Sequence, residues 1–449
     1  MKTLFISILA TLGLLTSGFD EGRIVLSLGV VSDVHIDGKS QPTSNKFKSA
    51  LNQLGTEAAK EDKDGLDGIL VVGDLIQNPY RDTTTYYEAE LFKELYESVY
   101  SPEKMPLVYT IGNHDVYKHW NDRPYYFSKK IERIMGEKYF TLDLDDEMRE
   151  KYECRHCVID GCHILCITPN HADPVTYPEE AKQWLDRKLA EITTAEPDRY
   201  VLVLTHPMIT GTVYGSNLGG FWATKELTPI LEKYPQAVTF GGHLHFPLND
   251  PRSIWQGSFT AFGTASTRYM AIEDGGYERM AGKTTMKDMN EYSQGLLLQF
   301  DADGNMRATR MDFFHNTTIG SPWVLDHPTA DGSHLKRYSQ TLRASANKAP
   351  RLGKAKAMMT ESGPVLQFAA GKDDEFVHHY VITVSSKDSV VVTKKILADF
   401  YRHPLPSEMK QTWEESLGEL PTGKYRIRLQ AFDSWDAKSN VLKTKLKVR

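Results

Sequence analysis

The chain has 449 residues, 40% of them hydrophobic and 25% charged, with a formal net charge of −6 and four cysteines. That length and apolar content exclude a largely disordered chain or a small disulfide-stapled scaffold, and they allow two domains with cores of their own. The charge is uneven, with 21 cations against 12 acids from Lys336 onward and 32 against 47 before it, so the two parts carry +9 and −15 and attract each other.

Met1-Lys2, the apolar run Leu4 to Leu15 and the small residues Thr16-Ser17-Gly18 have the layout of a secretory signal peptide over residues 1–18. A run of that size falls short of the roughly 20 residues that cross a bilayer. The first cysteine, Cys154, comes too late for a lipid-anchored cleavage site. The expectation is export to a periplasm or the exterior, with no membrane span.

Ile24 to Val31 reads as a buried strand and Asn45 to Lys60 as an amphipathic helix. Strand and helix then alternate: Leu66 to Val72, Thr85 to Tyr100, Pro106 to Ile111 and Pro124 to Met135. Such alternation argues for βαβ units and a largely parallel sheet. Tyr152 to Ile159 and Cys162 to Ile167 flank Asp160-Gly161, a two-residue hairpin turn. Next come a helix from Tyr177 to about Ile192, a strand from Arg199 to Leu204, a helix from Lys225 to Tyr234 and a short strand from Ala237 to Phe240. Trp255 to Thr264, Gly295 to Phe300 and Met306 to Phe313 are β, with Glu273 to Tyr292 an irregular insertion between the first two.

Residues 336–348 form a basic linker, read as solvated and lying on the acidic part, with contact to an anionic polymer or cell surface as the alternative. Beyond it, over residues 349–449, Val365 to Phe368, His379 to Val384, Val390 to Ile396, Lys424 to Ala431 and Val441 to Val448 are short β runs that point to a β-sandwich. Leu420 to Tyr425, with the strand that follows, resembles the tyrosine corner of a fibronectin type III or related immunoglobulin-like module. The expected early-strand Trp is missing there, and Phe368 would stand in for it.

Five times an apolar run ends in residues able to hold a metal: Asp33-x-His35, Gly73-Asp74, Gly112-Asn113-His114-Asp115, Thr205-His206 and Gly242-His243-x-His245. Carboxylates, an amide oxygen and imidazoles together suit divalent first-row metals. In this order, the blocks resemble those of the calcineurin-like metallophosphoesterases over about residues 24–315, and the domain is drawn at 19–335. The resemblance implies a four-layer αββα sandwich, with a small all-β sandwich following it, and a dinuclear site at the strand ends. It implies that Asp33, His35, Asp74 and His245 hold one ion, and that Asp74, Asn113, His206 and His243 hold the other. His114 would be general acid or phosphate-stabilising donor, with Asp115 orienting its ring. Two divalent transition-metal ions (Mn, Fe or Zn) would activate a bridging hydroxide for in-line attack on phosphorus. His35 resembles the phosphodiesterase-type branches more than the purple acid phosphatases, so diesters are slightly favoured. The alternatives are a phosphomonoesterase or nucleotidase of the same fold, or a non-catalytic exported binding protein. Sequence-specific nucleic-acid binding is not expected.

Other signals carry less. If Ile159 pairs with Cys162, Cys157 faces Ile164 and Cys166 faces Arg155, so no two cysteines are opposed. Buried free thiols are expected, with a diagonal disulfide from Cys157 as the alternative. Gly276 to Thr284 spaces its glycines wrongly for a phosphate loop, Asp301 to Gly304 is a hairpin turn rather than a calcium loop, and no Gly-x-Ser-x-Gly elbow occurs. Tyr117, Trp120, Tyr125, Tyr126 and Phe127 are read chiefly as packing residues, while Asn170, His171, Tyr214 and Arg268 are candidates for the pocket border.

Overall fold

The computed structural model describes residues 18–38, 40–77, 82–116, 126–170, 173–218, 220–272, 288–387 and 389–449. The signal-peptide stretch 1–17, Tyr117, Trp120, Tyr125, His171 and the loop from Gly276 to Thr284 lie outside the described residues, as do the side chains of Tyr126 and Phe127. Among the described residues no helix is long and apolar enough to cross a membrane.

The chain opens with β1 (Ile24–Val31), α1 (Gln41–Ala58), β2 (Gly68–Val72), α2 (Asp82–Glu97) and β3 (Leu107–Thr110), and the three strands pair in parallel. After α3 (Tyr126–Met135) and α4 (Asp146–Tyr152) come β4 (Arg155–Ile159) and β5 (Cys162–Cys166), then α5 (Glu179–Ala195) and β6 (Val201–His206). The short pair β7 (Met208–Ile209) and β8 (Ala223–Thr224) precedes α6 (Thr228–Leu231), β9 (Ala237–Gly241), β10 (Ile254–Gln256) and β11 (Thr260–Gly263). Then follow β12 (Gln294–Asp301), β13 (Met306–Asp312), β14 (Thr317–Thr318), β15 (Trp323–Leu325) and α7 (Gln340–Ala346).

Two mixed sheets result. One has the order β14-β13-β12-β1-β2-β3 with β15 on β13, and the other the order β10-β11-β9-β6-β5-β4. Alternation along the central strands places the layers. Leu70 and Val72 of β2 pack toward Ile164 and Val203 in the core between the sheets, while Ile69 and Val71 join Phe47 and Phe92 under α1 and α2. Strands buried on both faces are what a parallel sheet requires. Trp184 and Leu185 of α5 close the opposite side, which completes the four-layer α/β sandwich.

The Asp160-Gly161 hairpin has the expected register, with Ile159 opposite Cys162 and Cys157 opposite Ile164. All four cysteines are free and buried, and burial pushes the Cys154, Cys162 and Cys166 thiols up to about 12. Thiol titration with Ellman's reagent is therefore expected to find no fast-reacting group in the folded protein and four after denaturation. Fewer than four on denaturation would mean a disulfide.

Several elements differ from expectation. The helix over Lys225 to Tyr234 shrinks to the single turn of α6, Thr228–Leu231. Trp255 to Thr264 is a hairpin, Ile254 opposite Phe262, rather than one strand. The run from Tyr152 begins as the end of α4, whose Asp145 cap accepts from the Met148 amide and whose last turn stops at Glu153 with φ 55°.

The linker is also more structured than expected. It contains α7, Arg337 pairs with Asp326 at 2.8 Å, and Arg343 donates to the Pro251 carbonyl and lies 4.9 Å from the Trp435 ring centre. Beyond α7 every strand pairing is antiparallel. β16 (Ala355–Thr360), β17 (Gly363–Ala369) and β20 (Thr412–Ser416) form one sheet; β18 (Val377–Ser386), β19 (Ser389–Leu397), β21 (Gly423–Asp433) and β22 (Leu442–Val448) form another, in the order β19-β18-β21-β22. Neither β16 nor β20 stood out in the sequence. β20 carries Trp413, which stacks on Phe368 at 6.2 Å and 7°.

Candidate metal centre

All five ligand-bearing blocks sit at the C-terminal ends of parallel strands, the place where α/β sheets hold their ligands. Asp33 and His35 follow β1, Asp74 follows β2, and Asn113 and His114 follow β3; His206 ends β6, and His243 and His245 follow β9. The two sheets thus bring their strand ends to one cleft. Local backbone geometry aims the side chains there. Asp33, His35, Asp74, His206, His243 and His245 have φ of 49°, 47°, 53°, 58°, 66° and 57°, the left-handed region. Holding a side chain larger than Gly in such a conformation costs about 1–3 kcal/mol each, and clusters of such residues mark functional sites.

The glycines in the blocks have a steric reason. A Cβ on Gly112 would stand 2.3 Å from Asp74 Oδ1 and 2.7 Å from His206 Cε1, and one on Gly242 would stand 2.0 Å from Ser32 Oγ and 2.3 Å from Asp33 Oδ2. The ligand side chains occupy the space that a side chain at these positions would fill.

The seven predicted ligands come together, each no more than 5% exposed. Asp33, His35 and His245 can present ligand atoms within 4.8 Å of one another, and so can Asp74, His206 and His243. Asp74 stands between the groups, with Oδ2 3.6 Å from His35 Nε2 and Oδ1 3.5 Å from His206 Nε2. Asn113 Oδ1 lies 3.1 Å from His206 Nε2.

Hydrogen bonding decides what these atoms can do. His206 Nδ1 meets the Val72 carbonyl at 2.8 Å, His245 Nδ1 the Tyr269 carbonyl at 3.1 Å and His243 Nε2 the Phe221 carbonyl at 3.0 Å. A carbonyl only accepts, so each of those nitrogens carries the proton and the opposite nitrogen turns a lone pair to the cleft. In His245 that lone pair faces Asp33 Oδ1 at 3.0 Å, and in His206 it faces the Asn113 oxygen. Lone pair against lone pair is repulsive unless a cation lies between. Asp33 Oδ2, by contrast, is held by the protein, accepting from Ser32 Oγ at 2.5 Å and the His243 amide at 3.0 Å.

The electrostatics agree. Burial, with Asp33 and Asp115 nearby, pushes the Asp74 carboxyl well above its usual range. Burial opposes ionisation of Asp33 as well, while Ser32 Oγ and the His243 amide donate to its Oδ2. Burial lowers His35 and His206 and takes His243 to about 3, so these rings are neutral donors. Neutral imidazoles around buried carboxylates leave negative charge that cations would balance, and oxygen with imidazole ligands suits divalent first-row metals.

The role expected for Asp115 needs correcting. Its carboxylate accepts from the Ile76 amide at 3.1 Å and the Gly112 amide at 2.8 Å, tying the loop after β2 to the loop after β3. The His114 ring is oriented instead by the Gln77 carbonyl, 2.9 Å from Nδ1. Asp115 sits one residue along the turn and points back into the protein, so it shapes the backbone that carries Asn113 and His114. His114 approaches the cluster, with its ring centre 4.5 Å from that of His35.

Residues not singled out from sequence also build the site. Ser32 and Gln77 act as described above, and Phe221, Trp222 and Tyr269 pack on the His243 and His245 rings at 4.2–5.1 Å. The adjacent aromatics Phe221-Trp222 are a signal that the sequence carries for two of them. Arg268 does border the cleft, hydrogen-bonding the His35 carbonyl and Gln77 Oε1 and pairing with Asp37 at 3.6 Å. Tyr214 is buried elsewhere, its hydroxyl 3.1 Å from His378 Nε2, and Asn170 is tied to Thr176 in its own loop.

The two mixed sheets with their outer helices form the α/β fold of the metallophosphoesterases. Residues 26–247 match the profile of the family described as calcineurin-like phosphoesterase, and that segment is a calcineurin-like phosphoesterase domain. A dimetal phosphatase from Danio rerio is 10% identical with TM-score 0.46, the match covering 68% of this chain and 99% of that one. A purple acid phosphatase from yellow lupin (Lupinus luteus) seeds is 13% identical with TM-score 0.46, covering 72% of this chain and 57% of that one. No curated protein matches the chain.

Proposed function

We propose that the protein is a dinuclear metal-dependent phosphoester hydrolase. The observation that carries this reading is the convergence of protein-oriented imidazole lone pairs with Asp33, Asp74 and Asn113 from five strand ends. Asp33, His35, Asp74 and His245 would hold one ion, with Asp74, Asn113, His206 and His243 holding the second. When bound, two such ions supply an activated water and neutralise phosphoryl charge.

The chain's own residues do the rest. His114, with Nδ1–H fixed on the Gln77 carbonyl, offers Nε2 to the substrate. Burial takes the resting ring to about 4, so it is neutral until the phosphoryl group's negative charge draws a proton onto Nε2. That proton then serves the departing oxygen. Arg268 at the cleft edge adds positive charge on the His35 side.

Diesters are the proposed substrates, on the strength of His35 beside Asp33. The layout of residues 1–18 supports export. Support for a fibronectin type III-like module after α7 comes from its three-plus-four strand arrangement and from the Tyr425 hydroxyl, which donates to the Pro421 carbonyl at 2.7 Å.

The test compares Mn²⁺-loaded wild type with Asp74→Ala on bis-p-nitrophenyl phosphate and p-nitrophenyl phosphate. Removing a residue placed to serve both ions should cost more than the roughly 10–100-fold of an outer-shell change. Equal rates from the two proteins would sink the hydrolase reading, and faster monoester turnover would sink the diester preference.

A further inference from the structure

The four-stranded sheet beyond α7 has one face that its neighbours do not cover. Along β21 the inward residues Tyr425, Ile427 and Leu429 are buried, while Lys424, Arg426 and Arg428 are exposed; along β22 Lys443, Lys445 and Lys447 are exposed. The register sets these cations directly opposite one another: Lys424 against Lys447, Arg426 against Lys445 and Arg428 against Lys443. Same-face neighbours along a strand are about 7 Å apart and cross-strand partners about 5 Å apart. The result is a ladder of six cations in two rows, about 14 Å long.

Like charges directly opposite one another weaken a sheet, so the ladder calls for a role. Lysines on the edge strand β22 by themselves would be accounted for by protection against edge pairing. That does not cover Lys424, Arg426 and Arg428, because β21 lies inside the sheet between β18 and β22. Nor is the charge neutralised locally. The four strands contain a single acid, the buried Asp433. Lys394 on the neighbouring strand β19 pairs with Glu415 at 2.6 Å, but among the described residues none of the six is in an ion pair.

Four of the six, Arg426, Arg428, Lys443 and Lys445, line a groove of about 420 Å³ together with Ser385 and Lys387 at the end of β18. We propose that this groove binds a linear anionic polysaccharide, its carboxylate or sulfate groups read by the cations and its hydroxyls by Ser385. Arginine forks suit planar or tetrahedral oxyanions. Among the described residues no aromatic side chain lines the groove, so they offer no stacking platform of the kind that single-stranded nucleic acid needs. A concave groove suits a chain better than a flat bilayer, and the exposed Val390 and Val391 lie outside its lining. The inference is independent of the hydrolase reading. It places the contact on the sheet face rather than on residues 336–348, whose arginines turn inward.

The test uses the full chain with size-fractionated heparin as probe, neutral dextran as blank, and single-stranded DNA and phosphatidylglycerol vesicles as competing polyanions. Arg426→Thr/Arg428→Thr/Lys443→Thr/Lys445→Thr keeps β propensity on outward positions and should weaken heparin binding by about tenfold or more. Lys336→Thr/Lys348→Thr/Lys354→Thr/Lys356→Thr removes the same charge elsewhere and should change it less than about twofold. Circular dichroism and phosphoester hydrolysis should be unchanged in both. Equal weakening by the two variants, tighter binding of DNA or vesicles than of heparin, or loss of self-association in place of heparin binding would each overturn the proposal.

Discussion

His114→Asn is expected to keep the metal content of the wild type while losing about 10²–10⁴-fold in turnover, the range of a lost general acid. The loss should be greatest with poor leaving groups, because these depend most on a proton at the departing oxygen. The geometry supports this division of labour. His114 is tied to the protein through Nδ1 and the Gln77 carbonyl, while its backbone amide donates to Asp74 Oδ1 at 2.7 Å. The substitution leaves that amide in place, so the carboxylate between the two groups keeps its support. Metal analysis by mass spectrometry together with rates on a series of aryl phosphates checks it. Loss of metal in the variant would make His114 a ligand, and a uniform loss across leaving groups would give it the phosphoryl charge rather than the proton.

Gly242→Ala is expected to damage the site through one methyl group. The new Cβ would meet Ser32 Oγ and Asp33 Oδ2 far inside van der Waals contact. Those atoms cannot simply retreat, since Ser32 Oγ is held against Asp33 and the His243 amide donates to the same carboxylate. Overpacking of this kind costs about 1–3 kcal/mol, which lowers the melting temperature of a domain this size by several degrees, at about 2–4 °C per kcal/mol. The larger effect is functional: Asp33 must move, and the group it forms with His35 and His245 should lose its ion. Calorimetry and metal analysis check both parts. A variant with full metal occupancy and an unchanged melting temperature would show that the close approach is not a constraint.

Which ligands are present, and in what order, is legible in the residues themselves, because a ligand type is a local property and each block follows a strand that its own apolar run specifies. The Cys157 to Ile164 register is legible there as well, since a two-residue Asp-Gly turn leaves no freedom in pairing. What turns each ring becomes visible only in the folded chain. The groups that fix the imidazole tautomers are the backbone carbonyls of Val72, Phe221 and Tyr269. Every residue carries a carbonyl, so nothing in the sequence distinguishes these three. For the same reason Asp115 read as the orienting partner of His114: adjacency in sequence is visible, whereas the direction of a buried carboxylate toward the amides of Ile76 and Gly112 is not. The cation ladder follows this pattern too. Its alternating lysines and arginines stand in the sequence of both strands, but only the pairing of β21 with β22 sets them face to face.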